Sequence, residues 1–247
     1  MPASMELYGS AVMPENDVTL NIGGAIDVTT LVSFTRMLAN GTVEVGSSNP
    51  ADSMNITITG RAPDGTLLTN TLPINGTTFE AVTGTFKRLL KAELSGVALG
   101  IITVRKAGAA GDLMIFSAGV TTVRRAFYSV PADVTGGAAR SFYEKIFYKN
   151  DDGTDALLTS KISLPTDMDG KITFALEAAQ GGSDKNGAGN NRLVAPSGYA
   201  FTGAEKDVPS DDITPGSAIG IWVKLSLAAG LAASDDQFNL KIKGADA

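Results

Sequence analysis

Hydrophobic and polar residues alternate most clearly between Met54 and Leu94. Met54, Ile56 and Ile58 alternate with Asn55, Thr57 and Thr59, the period-two pattern of a strand with one dry and one wet face. Pro63-Asp64-Gly65 follows as a turn: proline presets φ, aspartate bonds its own backbone, and glycine accepts positive φ. After Thr66 to Ile74, Asn75-Gly76 is a two-residue hairpin signal, since a type I′ turn needs positive φ at both central residues. Two successive reversals predict an antiparallel meander.

Upstream, residues 1–17 carry little pattern and read as an extended arm or tail, or as a strand added to a neighbouring subunit. Val18 to Ile22 alternates and is the first expected strand, ended by Gly23-Gly24. Thr29 to Ala39 fits both periods; its β-branched residues favour a strand, with Asn40-Gly41 turning into Thr42–Val45. Downstream, Thr85–Leu90, Ala92–Leu94, Ile101–Arg105 and Leu113–Phe116 bring the count to roughly eight strands before residue 120, enough for one sandwich.

Ser117 to Arg125 is the expected boundary. A second set follows: Arg125–Val130, a Gly136-Gly137 break, Ser141–Lys149, Ala156–Leu164, the turn Asp167-Met168-Asp169-Gly170, Lys171–Leu176, the loop Gly181–Asn191, Tyr199–Phe201, Ala218–Leu227 and Gln237–Ile242. In Ala218–Leu227, Trp222 falls opposite the face of Ile219, Ile221, Val223, Leu225 and Leu227, which predicts cover on both faces by a loop or a second subunit. The expected fold is all-β: an arm over 1–17 and two antiparallel β-sandwich or jelly-roll-like domains over 18–120 and 121–247.

Composition narrows the chemistry. The chain has 247 residues and a net charge of -6, with Lys and Arg scattered, so it lacks the dense basic face of a nucleic-acid binder. It contains neither cysteine nor histidine, which removes disulfides, thiolate and imidazole metal sites, and Ser-His or Cys-His nucleophiles. No basic-then-apolar leader is visible, and apolar runs fall short of the roughly 20 residues that span a bilayer, so no membrane partner is expected. Synthesis in a cytoplasm is the expectation.

Several stretches resemble tailed-bacteriophage virion structural proteins. In the front half they are Asp52 to Arg61, Asp64-Gly65, Leu72 to Thr78, Phe86-Lys87-Arg88 and Thr103-Val104-Arg105. In the back half they are Tyr143 to Phe147, Lys149-Asn150, Asp169-Gly170-Lys171, Ala195-Pro196, Gly220 to Leu225 and Ala228-Ala229-Gly230. The similarity lies in strand and turn spacing and brings no catalytic residues. It implies a part of the virion, assembled in the bacterial host cytoplasm: a capsid cement (decoration) protein on the outer head shell, or a tail or baseplate component. The implied partners are the major capsid protein and further copies of the chain, as a trimer around local symmetry axes.

Other candidates meet simpler explanations. Asp151-Asp152-Gly153-Thr154-Asp155 and Asp167-x-Asp169-Gly170 resemble fragments of calcium loops but lack the twelve-residue pattern, and turn chemistry accounts for them and for Asp211-Asp212 and Asp235-Asp236. Gly181 to Gly189 lacks the endings of a phosphate loop or dinucleotide fingerprint and is expected to be a flexible loop. Lys87, Arg88 and Lys91 read as charges guarding a strand edge or as a contact to an acidic neighbour, and Arg124-Arg125 has the same two readings. A carbohydrate-binding module would use Tyr143, Phe147, Tyr148, Tyr199 or Trp222 as stacking surfaces. No catalytic, cofactor-binding or metal-ligating residue is assigned, no cofactor is expected, and no enzyme activity is expected.

Overall fold

The structure is a computed structural model that describes residues 3–32, 35–108, 111–128, 130, 138–230 and 237–246. Of the features named above, Met1-Pro2, Ser33-Phe34, Ala109-Ala110, Ser129, the Gly136-Gly137 break and the Asp235-Asp236 pair lie outside the described residues. The described residues hold strands and no helix, so the chain is all-β. In order the strands are β1 (Met5–Val12), β2 (Gly23–Leu31), β3 (Val43–Ser47), β4 (Asn55–Arg61), β5 (Leu67–Pro73), β6 (Glu80–Ala81) and β7 (Arg88–Leu94). Next come β8 (Ile102–Lys106), β9 (Asp112–Phe116), β10 (Thr122–Arg124), β11 (Arg140–Asn150) and β12 (Leu157–Thr166). The last are β13 (Ile172–Leu176), β14 (Lys206–Asp207), β15 (Ala218–Leu227) and β16 (Asn239–Asp246).

The chain divides into two compact units, Met1–Asp27 with Ala126–Ala247, and Val28–Arg125. This differs from the expected division into 18–120 and 121–247, because the N-terminal segment belongs with the C-terminal half. The segment read as an arm contains β1, which pairs antiparallel with β11 from Met5↔Asn150 to Gly9↔Ile146. Few pattern signals were visible there because β1 (MELYGSAV) buries Tyr8, Gly9 and Ser10 in succession instead of alternating. Its backbone bonds go to its own chain.

In the discontinuous unit one sheet runs β13-β15-β11-β1, with the Gly23–Asp27 part of β2 beyond β1, and a second sheet runs β14-β12-β16. β11 and β15 are buried along both faces, as central strands with near-continuous apolar runs should be. Trp222 is fully buried against Ile22, Tyr143, Val12, Tyr199 and Phe201, so its face is covered from within the unit. Gly23, expected to end a strand, begins one. Its φ is +96°, and a Cβ there would lie 2.8 Å from the Trp222 ring, which only glycine avoids. Val18 to Ile22 is not a strand. The Asn16 side chain accepts the amides of Val18 and Thr19, both at 3.0 Å, and this local turn overrides the alternation. Arg125–Val130 and Tyr199–Phe201, also expected as strands, form none among the described residues.

The continuous unit has one sheet in the order β2-β10-β7-β4-β5, to which β2 contributes Val28–Leu31, and a second in the order β6-β3-β8-β9. Ile56, Ile58 and Ala92 of the first sheet are fully buried, as are Val43, Ile102, Val104 and Phe116 of the second. Each sheet therefore turns one face inward, as in a β-sandwich. The pairing is not wholly antiparallel: β10 lies parallel to β2, with Thr122↔Thr30 and Val123↔Leu31 in register. The meander also stops after one reversal. Pro63-Asp64-Gly65 does connect β4 to β5, with the Asp64 carboxylate accepting the Thr66 amide at 2.9 Å. At Asn75-Gly76 only Gly76 has positive φ, so no type I′ turn forms, and the chain departs to β6, which pairs with β3. β7 then returns to the other side of β4.

Candidate functional site

The residues singled out from the sequence serve the fold. Asp152 accepts the amides of Thr154 and Asp155, both at 2.8 Å, which closes the turn after β11. Met168, Asp169 and Gly170 all have positive φ in the β12–β13 turn, and the Asp212 carboxylate accepts the Thr159 amide at 2.8 Å. Among the described residues no group of three or more Asp, Glu, His or Cys is placed to hold a metal ion. The Gly181–Asn191 loop is stitched to the N-terminal segment. Gly24 donates to Asp184 O at 2.8 Å, Asn186 to Ile22 O at 3.1 Å, and Asn21 to Asn190 O at 2.8 Å. Lys91 pairs with Glu93 at 3.0 Å, and Arg124 is buried. Of the aromatic candidates, Tyr143, Phe147, Tyr148 and Trp222 are buried and offer no stacking face to a sugar.

Two arrangements lie outside the motifs visible in the sequence. The first is a buried polar clamp in the discontinuous unit. Lys145 of β11 and Glu177, one residue beyond β13, flank β15 and meet over Gly220, with Nζ to Oε1 at 2.5 Å. A Cβ on Gly220 would collide with the Glu177 carboxylate and would lie 2.9 Å from Lys145 Cε, so glycine is what lets the pair cross the strand. Lys145 also donates to Gly24 O at 2.8 Å and Asp184 O at 3.1 Å, which satisfies all three ammonium hydrogens. Burial pushes its pKa below the ordinary lysine value, opposed by the bond and the charge of Glu177. Glu177 Oε1 also accepts the Asp184 amide at 3.0 Å, while the Asp184 carboxylate accepts the Tyr199 hydroxyl at 2.6 Å. Burial and then Asp184 raise the tyrosine pKa. Neither Lys145 nor Glu177 reaches solvent, so the pair ties β11, β13, β2 and the glycine-rich loop together and has no route to a substrate.

The second arrangement faces outward, in the continuous unit. Asp52 is buried and accepts the Ser47 hydroxyl at 2.6 Å and the amides of Leu99 and Gly100 at 2.8 and 3.0 Å. Burial alone would raise its pKa, but these donors hold the carboxyl below its ordinary value of 3.8. Ser48 completes the fastening: its hydroxyl accepts the Ile101 amide at 2.8 Å, and its own amide donates to Ile101 O at 2.9 Å. The β7–β8 loop is thus fixed in shape from below while its apolar side chains stand outside. Val97 is 62% exposed, Leu99 73% and Ile101 50%. Ile115 of β9 is exposed as well; it sits opposite Thr103, on the same outward face as Ile101. A sequence signal existed: Val97, Leu99 and Ile101 alternate with Ala98 and Gly100, although the run lies in a loop.

No helix among the described residues is long and apolar enough to cross a membrane. No family model matches the chain, and neither does any curated protein or solved structure.

Proposed function

We propose that this chain is a structural protein of a tailed-bacteriophage virion, a capsid cement protein that binds the outer head shell in repeated copies. Contacts with the major capsid protein and with other copies of itself would hold the shell together. The resemblance in strand and turn spacing supports this reading. The observation that carries it is the fastened loop bearing Val97, Leu99 and Ile101. Large apolar side chains standing free on a loop whose backbone is pinned by a buried carboxylate make a preorganised contact surface. Binding there loses little loop entropy, and symmetry repeats each modest contact over the shell.

The test is a sedimentation assay with emptied heads and, separately, tails of the virus that encodes the chain. Saturating retention on heads at a fixed ratio to the shell protein is expected. Retention on tails alone would move the protein to the tail or baseplate, and retention on neither would overturn the virion reading. Leu99→Asp is expected to weaken head binding at least about tenfold, as loss of a central apolar anchor does. Its melting temperature should match that of the parent, because the side chain is already exposed.

A further inference from the structure

β5 ends its sheet, and among the described residues no strand pairs with its outer edge. Which backbone groups stand on that edge follows from the β4–β5 ladder. Ala62 donates to Thr66 O at 2.9 Å and Ile74 to Met54 O at 2.8 Å, and the register between them runs from Asn55↔Pro73 to Arg61↔Leu67. Hydrogen-bonded and non-bonded pairs alternate along an antiparallel ladder. Leu68, Asn70 and Leu72 therefore turn their backbone groups toward β4, while Leu67, Thr69 and Thr71 turn theirs outward. Pro73, with no amide to donate, occupies the last outward position, where proline is tolerated on an edge.

The other sheet ends are guarded. β6 and β14 have two residues each, β16 carries Lys241 and Lys243, and Leu113 O of β9 accepts the Thr35 amide at 2.8 Å. On β13, Phe174 and Thr202 exchange both backbone bonds at 2.9 and 3.0 Å. The outward backbone groups of β5 have no such cover, although the Asn70 side chain donates to Thr83 O at 2.7 Å, and from Gly65 to Phe79 the chain carries no charge. The strand is also self-complementary: Leu68-Thr69-Asn70-Thr71-Leu72 reads the same in both directions.

We propose that β5 pairs antiparallel with β5 of a second copy about a two-fold axis through Asn70. In that register Thr69 exchanges both backbone bonds with Thr71 of the second copy, and Leu67 donates to its Pro73. Leu68 and Leu72, half-buried at the edge, cover the second copy's Leu72 and Leu68. A two-fold contact must pair each patch with itself, and a palindromic, uncharged strand does so without opposing like charges. Asn70 meets its own copy in a non-bonded pair, with Cα atoms about 4.5 Å apart, inside the roughly 4.4–6.8 Å span of a disulfide. The contact does not depend on the capsid reading.

The chain has no cysteine, so Asn70→Cys places a single thiol at the axis, at the cost of the Asn70 bond to Thr83 O. Mild oxidation is expected to yield a covalent dimer at twice the 25.4 kDa chain mass. Asn55→Cys, exposed on the neighbouring strand, should not cross-link. Light scattering at tens of micromolar, on the order of a modest interface's Kd, should find the parent as a dimer or an even multiple. Thr69→Lys with Thr71→Lys, both exposed, should halve that mass with an unchanged circular dichroism spectrum. A monomeric parent, an assembly whose mass the lysines leave unchanged, or failure of Asn70→Cys to cross-link would overturn the proposal. Head binding by the lysine variant, measured alongside, reads the shell assignment separately.

Discussion

Lys145 holds an ammonium where no water reaches, and the cost of that placement is met by one carboxylate and two carbonyls. Removing one partner leaves the other charged and buried. Lys145→Met is expected to destabilise the protein by about 3–5 kcal/mol. The double variant Lys145→Met with Glu177→Gln should lose less than Lys145→Met alone, because no uncompensated charge remains. Urea unfolding of the two variants checks this, and equal losses would mean that Glu177 left alone carries no uncompensated buried charge. The clamp was illegible in the sequence for a definite reason. Alternation tells a wet face from a dry one, but β11 is buried on both sides, so Glu144 and Lys145 gave no sign of which faced water. Glu177 lies 32 residues from Lys145, a pairing no local pattern reports.

Elements whose partners are close in sequence were the readable ones. β4, the Pro63-Asp64-Gly65 turn and β5 form as their alternation and turn chemistry dictate. Elements whose partners are distant were misread. β1 lacks alternation, and its ladder with β11 spans most of the chain; Val18 to Ile22 alternates but is held in a turn by Asn16. Asn75-Gly76 has a hairpin's composition, yet the next strand pairs with β3. The role of β1 has a measurable consequence. Tyr8 donates to Asp151 at 2.9 Å, and its pKa is raised, chiefly by burial. Deleting residues 1–12 removes this bond and bares the edge of β11. The expected result is a fall in melting temperature of about 10 °C or more, read by circular dichroism. An unchanged melting temperature would return the segment to the status of a dispensable arm.

For the whole molecule, the all-β class was readable from strand periodicity and turn residues, whereas the division into units was not. The continuous unit ends at Arg125, the last residue of the Ser117–Arg125 segment. Its other boundary, at Val28, falls inside β2, where no composition shift or linker marks it. The outward apolar loop stayed hidden because its anchor, Asp52, sits in a turn-rich stretch where a carboxylate is unremarkable. The two ends of the continuous unit lie side by side, with Thr121 donating to Thr29 O at 2.9 Å and β10 in register with β2. Residues 28–125 expressed alone are therefore expected to fold, giving dispersed amide resonances and a cooperative melt. A collapsed spectrum would show that the unit needs the flanking chain.

The discontinuity of the first unit also sets a timetable for synthesis. β1 leaves the ribosome well before β11, whose Asn150 pairs with Met5. At the usual elongation rate of about 5–20 residues per second, β1 waits on the order of 10–30 s for β11, while the inserted unit can fold in the interval. During that time the edge of Met5–Val12 that meets β11, opposite its edge on β2, is unpaired beside identical edges on neighbouring nascent chains of the same polysome. Expression that yields many copies of this chain at once is then also when mispairing is most favoured. Slower translation through residues 28–125 would lengthen the exposure of β1.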